Sequence, residues 1–153
     1  MENKKNIIEL LREQGPRDTL VVGIIANDIS MVRKAINNGV DVNFEMQGEV
    51  GLPLNIAISK GELEIVKELI QAGADVNKMD KHMLTPLSYA IIDERNDMRI
   101  IQELIKAGAD VNATMFGGHS ILWYAEYEHN YKVIEELKKS GATLNQFDLL
   151  INI

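Results

Sequence analysis

The chain has 153 residues, of which 46% are hydrophobic and 25% charged, with no cysteine and a formal net charge of −7 at pH 7. This length and balance suit one ordinary globular domain, and the missing cysteine excludes disulfides, thiolate metal sites and a cysteine nucleophile. An acidic chain repels a phosphate backbone, and basic neighbours such as Lys4-Lys5 and Lys138-Lys139 are no more than short pairs, so no nucleic-acid partner is expected.

Residues 1–14 read as a helix with Ile7, Ile8, Leu10 and Leu11 on its inner side, broken by Gly15-Pro16; residues 1–17 are read as an N-terminal cap. Four apolar residues split by Glu9 do not make a signal-peptide core, so a cytoplasmic location is expected. No apolar run approaches the ~20 residues of a membrane span, so no membrane partner is expected either.

Beyond residue 17 the chain repeats itself. Gly39-Val-Asp-Val-Asn43 returns as Gly73-Ala-Asp-Val-Asn77, Gly108-Ala-Asp-Val-Asn112 and Gly141-Ala-Thr-Leu-Asn145, in steps of 34, 35 and 33 residues. Leu52-Pro-Leu54, Thr85-Pro-Leu87 and Ser120-Ile-Leu122 keep time with it, as do Asp28–Ile36, Glu62–Ile70, Asp97–Ile105 and Asn130–Lys138. Pro53 and Pro86 suit the first turn of a helix, where a missing N–H costs nothing. A short first helix follows, with Ala57 small enough for close packing and Gly61 ending it. The second helix sets Leu63, Val66, Leu69 and Ile70 on one stripe. Gly73 stands where a helix needs a left-handed cap, and Val76 turns inward from the extended chain beyond. Asn43, Asn77, Asn112 and Asn145 are read as closing each turn by bonding local backbone. Neither short helix could hold an apolar face alone, so neighbouring units must stack.

In phase, these markers resemble the ankyrin repeat, over about residues 18–145. The resemblance implies an all-α ankyrin-repeat solenoid: a single domain of four helix-turn-helix units with hairpin loops at 18–43, 44–77, 78–112 and 113–145, plus a short C-terminal cap at 146–153. It also implies a non-enzymatic scaffold that grips another protein through a concave face and its hairpin loops. The first unit departs from the pattern, with Asp18-Thr-Leu20 where Thr-Pro-Leu belongs. The family's histidine after Thr-Pro-Leu is replaced by Asn55, Ser88 and Trp123. Unit three carries two extra residues in Ile91–Asn96, and unit two one extra in Phe44–Gly51.

His82, His119 and His129 are scattered over three turns, which is no zinc-site spacing. Gly117-Gly-His119 is too short for a phosphate loop, and no H-E-x-x-H occurs. No enzyme and no cofactor are expected.

Family contacts fall at loop tips and on the exposed side of the first helix. By motif these are Glu45, Gln47 and Glu49, then Met79, Lys81, His82 and Leu84, then Thr114, Phe116 and His119. On the helices they are Ile25, Ala26, Ser59, Lys60, Asp93, Glu94, Tyr127 and Glu128. Five of the eight aromatics lie in unit four. Trp123 and Tyr127, four apart, share a helix face, with Phe116 in the adjoining loop; Tyr124 and Tyr131 are read as core. The expected binding set is therefore Phe116, Trp123 and Tyr127, flanked by Met79, Lys81, His82, Leu84, Asp93, Glu94, His119 and Glu128. It suits a partner with basic and apolar surface. The tail Phe147, Leu149, Leu150, Ile151 and Ile153 is apolar for a chain end. It is read as a cap on unit four, or as a patch making a weak homodimer or a structural homo-oligomer. A cytosolic regulator, a toxin-neutralising partner and a secreted effector are all open.

Overall fold

Helices begin where the sequence supplies a proline or a capping side chain. The computed structural model describes residues 15–45 and 51–150, with the backbone alone at Phe116. The expected helix over 1–14, the loop residues Gln47 and Glu49, Ile151 and Ile153 lie outside the described residues. Two compact units divide the chain, Met1–Asp75 and Val76–Ile153.

In the first unit, α1 (Pro16–Ala26), α2 (Ile29–Asn37), α3 (Pro53–Lys60) and α4 (Leu63–Gln71) form two helix pairs. Pro16 and Pro53 occupy first helical positions, so Pro16 opens a helix of the first repeat rather than merely ending a capping helix. Asp28 caps α2, its Oδ1 accepting from the N–H groups of Ser30 at 3.0 Å and Met31 at 3.1 Å. The second helices bury one stripe each: Met31, Val32 and Ala35 in α2, and Ile65, Val66 and Leu69 in α4. Leu63 and Ile70 are only half-buried, so the α4 stripe runs through Ile65 instead. Gly23 lets α1 and α2 approach closely: a Cβ there would meet the Val32 backbone nitrogen at 2.9 Å.

The second unit repeats the plan with α5 (Pro86–Ile92), α6 (Met98–Lys106), α7 (Ile121–Tyr127) and α8 (Tyr131–Lys139), and adds a single 3-10 turn at Phe116–Gly118 and a short α9 (Gln146–Leu150). Thr85 Oγ1 accepts the Ser88 N–H, and Ser120 Oγ that of Trp123. α5 packs on α6 and α7 on α8, while α5 also meets α7 and α6 meets α8. Leu87, Ile101, Leu104, Ile121 and Leu137 have no exposed surface; each such side chain contributes about 1.5–3 kcal/mol of burial. No strand forms among the described residues; Thr114 and Ser120 make an isolated antiparallel bridge.

The repeated asparagines act at longer range than expected. Asn43 donates from Nδ2 to the Gly73 carbonyl and accepts the Asp75 N–H at 2.7 Å. In the second unit Asn77 does the same to Gly108 and Asp110, and Asn112 to Gly141 and Thr143. Each asparagine thus ties its own hairpin to the one that follows, one repeat away. The local closure comes from the aspartate two residues earlier: Asp41 Oδ1 accepts the Asn43 N–H, and Asp110 that of Asn112. Gly73, at φ 90°, supplies the left-handed turn that aims one of those carbonyls.

Candidate functional site

The hairpin of the third repeat is built around Asp80. Its Oδ1 accepts the N–H groups of His82 and Leu84, and its Oδ2 accepts the Tyr89 hydroxyl at 2.5 Å. Burial pushes the Asp80 carboxyl up, yet these bonds pull it further down, to a net value below the ordinary range. Burial and the same carboxylate push the Tyr89 phenol up to about 12. The braced loop presents Met79 and Met83, 41% and 65% exposed, beside exposed Lys81 and His82. Met83 was not expected; it stands at φ 61°, a left-handed position on the loop tip. Leu84, expected to face a partner, is 5% exposed and joins the core, because Asp80 draws its backbone inward.

In the fourth repeat, one turn of helix separates Trp123 from Tyr127, and their rings stack with centroids 5.4 Å apart. His119 stacks on Trp123 from the other direction, at 3.9 Å and 17°. The result is a column of three rings, His119, Trp123 and Tyr127, with Tyr127 66% exposed at one end. Phe116 had been expected as the third ring; its side chain lies outside the described residues, and His119 takes that place.

His119 is held by the C-terminal helix. Its Nδ1 lies 3.1 Å from Asp148 Oδ1, and Asp148 has no exposed surface. The same carboxylate accepts the N–H groups of Ser120 and Asn145, while Asn145 Oδ1 accepts the Asp148 N–H and Asn145 Nδ2 donates to the Gly118 carbonyl. Burial pushes the Asp148 carboxyl up, but the hydrogen bonds from Ser120, Asn145 and His119 bring it below the ordinary range. α9 therefore docks on the fourth repeat through a polar residue. Its apolar side chains Phe147, Leu149 and Leu150 stand 61%, 57% and 61% exposed, the reverse of an apolar cap.

The acids expected beside the aromatic trio differ in kind. Asp93 binds Arg95 twice, from Nε at 2.7 Å and Nη2 at 2.6 Å, and that guanidinium holds its carboxyl low. Glu94 and Glu128 are exposed. Tyr124 is half-buried, in line with a partly core role, whereas Tyr131, expected in the core, is 76% exposed. In the first unit Ile25, Ala26, Ser59 and Lys60 are exposed as expected. Among the described residues no cluster of His, Asp or Glu could hold a metal ion, and no helix is long and apolar enough to cross a membrane.

Paired helices, left-handed glycine turns and hairpins tied at a repeat's spacing define an ankyrin-repeat protein. The family model for ankyrin repeats in three copies matches residues 1–115 and 54–148, and the chain belongs to that family. An ankyrin repeat protein of Borreliella burgdorferi is 28% identical over 143 residues, covering 94% of this chain and 48% of that protein. Ankyrin repeat and SOCS box protein 6 of Homo sapiens is 34% identical over 73 residues, 47% of this chain and 17% of its own length. The chain spans about half or less of the curated relatives it matches. Ankyrin repeats are in general protein-interaction modules, and the family is typically non-enzymatic.

Proposed function

We propose that this chain is a protein-binding module whose partner docks on the column of His119, Trp123 and Tyr127 and on the neighbouring hairpin tip of Met79, Lys81, His82 and Met83. The observation that carries this reading is the stack itself. Three planar rings are pre-ordered, one end is open, and the histidine end is fixed by a buried carboxylate. Rigid aromatic surface loses little conformational entropy on binding, which is why Trp and Tyr dominate hot spots. Glu94 and Glu128 favour a partner with basic as well as apolar surface. The test is affinity capture from the native cell with mass spectrometry, using the natural chain and Trp123→Ala/Tyr127→Ala. A partner held by the first and weakened by about 2 kcal/mol or more in the second supports the reading. Equal capture by a folded double variant overturns it.

A second reading rests on the exposed apolar side of α9: self-association through Phe147, Leu149 and Leu150 into a weak homodimer or larger homo-oligomer. Light scattering separates the two. If the natural chain is larger than a monomer and Leu149→Ser/Leu150→Ser is monomeric, α9 joins copies; if both are monomeric, it does not.

A further inference from the structure

The connectors between paired helices are short in three repeats, Asn27-Asp28, Gly61-Glu62 and Glu128–Asn130, but run over Asp93–Asp97 in the third. This longer turn is stiff. Asp93 accepts the Arg95 N–H and both arms of its guanidinium, Asp97 likewise binds Arg99, and Asn96 at φ 43° donates its N–H to the Asp93 carbonyl. It stands beside the turn that ends at Asn130, and the two enclose a groove of about 740 Å³. The groove belongs wholly to the second unit and does not include the stacked column or the hairpin tips.

Its lining has a definite chemistry. Ile91 and Ile92 give it an apolar side, and Tyr124 and Tyr131 add two aromatic rings. Glu94 and Glu128 add two carboxylates, while the Asn96 amide oxygen is shielded from solvent and stays out of the groove's acceptor set. The guanidinium groups of Arg95 and Arg99 are folded back onto Asp93 and Asp97. His129 and Lys132 also line the groove, so its two carboxylates stand with one ammonium and one imidazole. Glu128 also acts on Tyr124, whose phenol is pushed up by burial first and by that carboxylate second.

We propose that this groove is a second recognition site, which takes an arginine side chain of a protein partner. Glu94 and Glu128 accept from the guanidinium, and the rings of Tyr124 and Tyr131 receive its flat faces. A planar, weakly hydrated cation with five donors matches a set of acceptors flanked by aromatic rings, whereas a compact ammonium offers no face to stack. The site shares with the proposed function the expectation of a protein partner and the carboxylates of Glu94 and Glu128, but its test needs neither that partner nor the stacked column.

The probes are N-acetyl-arginine amide and its neutral isostere N-acetyl-citrulline amide, followed by ¹H–¹⁵N correlation spectra of the full chain at low ionic strength. The arginine derivative is expected to give saturable shifts centred on residues 94–96 and 128–132. The citrulline derivative should bind at least about fivefold more weakly, as should the arginine derivative to Glu94→Gln/Glu128→Gln. The same spectra show whether the variant is folded. Equal response to both probes, shifts centred elsewhere, or no saturation overturns the proposal. So does preferential binding of N-acetyl-glutamate amide, which would make this an anion site governed by Lys132.

Discussion

Asn77 and Asp110 stand 33 residues apart in the chain and are joined by a hydrogen bond of 2.7 Å, from the Asp110 N–H to Asn77 Oδ1. With the companion bond from Asn77 Nδ2 to the Gly108 carbonyl at 3.0 Å, it fixes the pitch from one hairpin to the next. Both groups are exposed, so water competes for them. Asn77→Ala is expected to lower stability by about 1 kcal/mol, and Asn77→Asp, which keeps the acceptor but loses the donor, by less. Urea unfolding measures both. A variant as stable as the natural chain would make the ladder an accompaniment of stacking rather than part of its cause.

Packing at the other extreme is illustrated by Leu69 and Leu104, neither of which has any exposed surface. Alanine at either site is expected to lose about 2–5 kcal/mol, the burial of the lost atoms plus the cavity they leave. Thermal melts followed by circular dichroism decide it. An unchanged melting temperature would mean that the apolar stripe is misassigned.

Tyr89 and Asp80 give a pH test at the alkaline end. Tyr89 titrates near 12 when folded and at about 10 when unfolded. Its folded value is raised, so the stabilisation is complete below the unfolded value and is lost as pH rises through the folded one. Unfolding free energy is therefore expected to fall between about pH 10 and 12, and to fall less in Tyr89→Phe. At neutral pH that variant leaves Asp80 Oδ2 without its phenol, a loss of about 1–3 kcal/mol. Ultraviolet titration in which all four tyrosines ionise together would contradict the pairing.

How much of this was legible beforehand depends on whether a residue's role follows from its own repeat. The prolines, the glycines of the turns and the buried Leu69 and Leu104 are set by local spacing, and the structure places them as the periodicity predicts. Trp123 and Tyr127 share a face for the same local reason. Asn145 keeps a local bond, to the Asp148 N–H, but Asn43, Asn77 and Asn112 reach the next repeat, because a side-chain amide satisfies a near or a far backbone group equally well and sequence spacing does not tell which. Leu84 was misplaced because its burial depends on Asp80, four residues earlier, pulling the loop inward. Tyr131 was assigned to the core by its type, but position one of α8 points it outward. The third ring of the column was the least legible: His119 is aimed by Asp148, 29 residues on, in a segment whose apolar composition masked its one buried acid.

Asn55 offers a test in the opposite direction from the losses above. It occupies the place of the family's histidine in α3, is 3% exposed, and neither its Oδ1 nor its Nδ2 meets a hydrogen-bond partner. Ser88, at the same place in α5, bonds Thr85 at 3.0 Å, a local bond that Asn55 lacks. A buried amide without partners loses its hydration for nothing in return, about 1–3 kcal/mol. Asn55→Leu, which keeps the forked shape without the polar atoms, is expected to hold or raise stability. Ser88→Ala, which removes the side-chain bond and leaves Thr85 Oγ1 only the residue-88 N–H, is expected to lower it by about 1 kcal/mol. Paired urea titrations give the comparison, and a loss in Asn55→Leu as large as in Ser88→Ala would mean that the amide has a partner, with an ordered water the first to look for.

The buried carboxylate at the chain's end ties stability to acid. Asp148 accepts from Ser120 and Asn145 and faces His119, and its folded value lies below that of an unfolded aspartate. The folded state thus binds this proton less readily than the unfolded chain. The stabilisation is whole above about pH 4 and drains away as pH falls through the lower, folded value. Asp148→Ala is expected to lose about 2–3 kcal/mol at neutral pH, since the Ser120 N–H would be buried without an acceptor. It is also expected to shift the Trp123 emission, because the His119 ring that stacks on the indole is no longer held. Asp148→Asn keeps one acceptor oxygen and should fall between the two, with a flatter acid limb than the natural chain. Melting temperatures at pH 7, 5 and 3, read by Trp123 fluorescence, carry both comparisons. If the natural chain and Asp148→Asn lose stability in parallel below pH 4, the column is held by stacking alone and α9 does not position it.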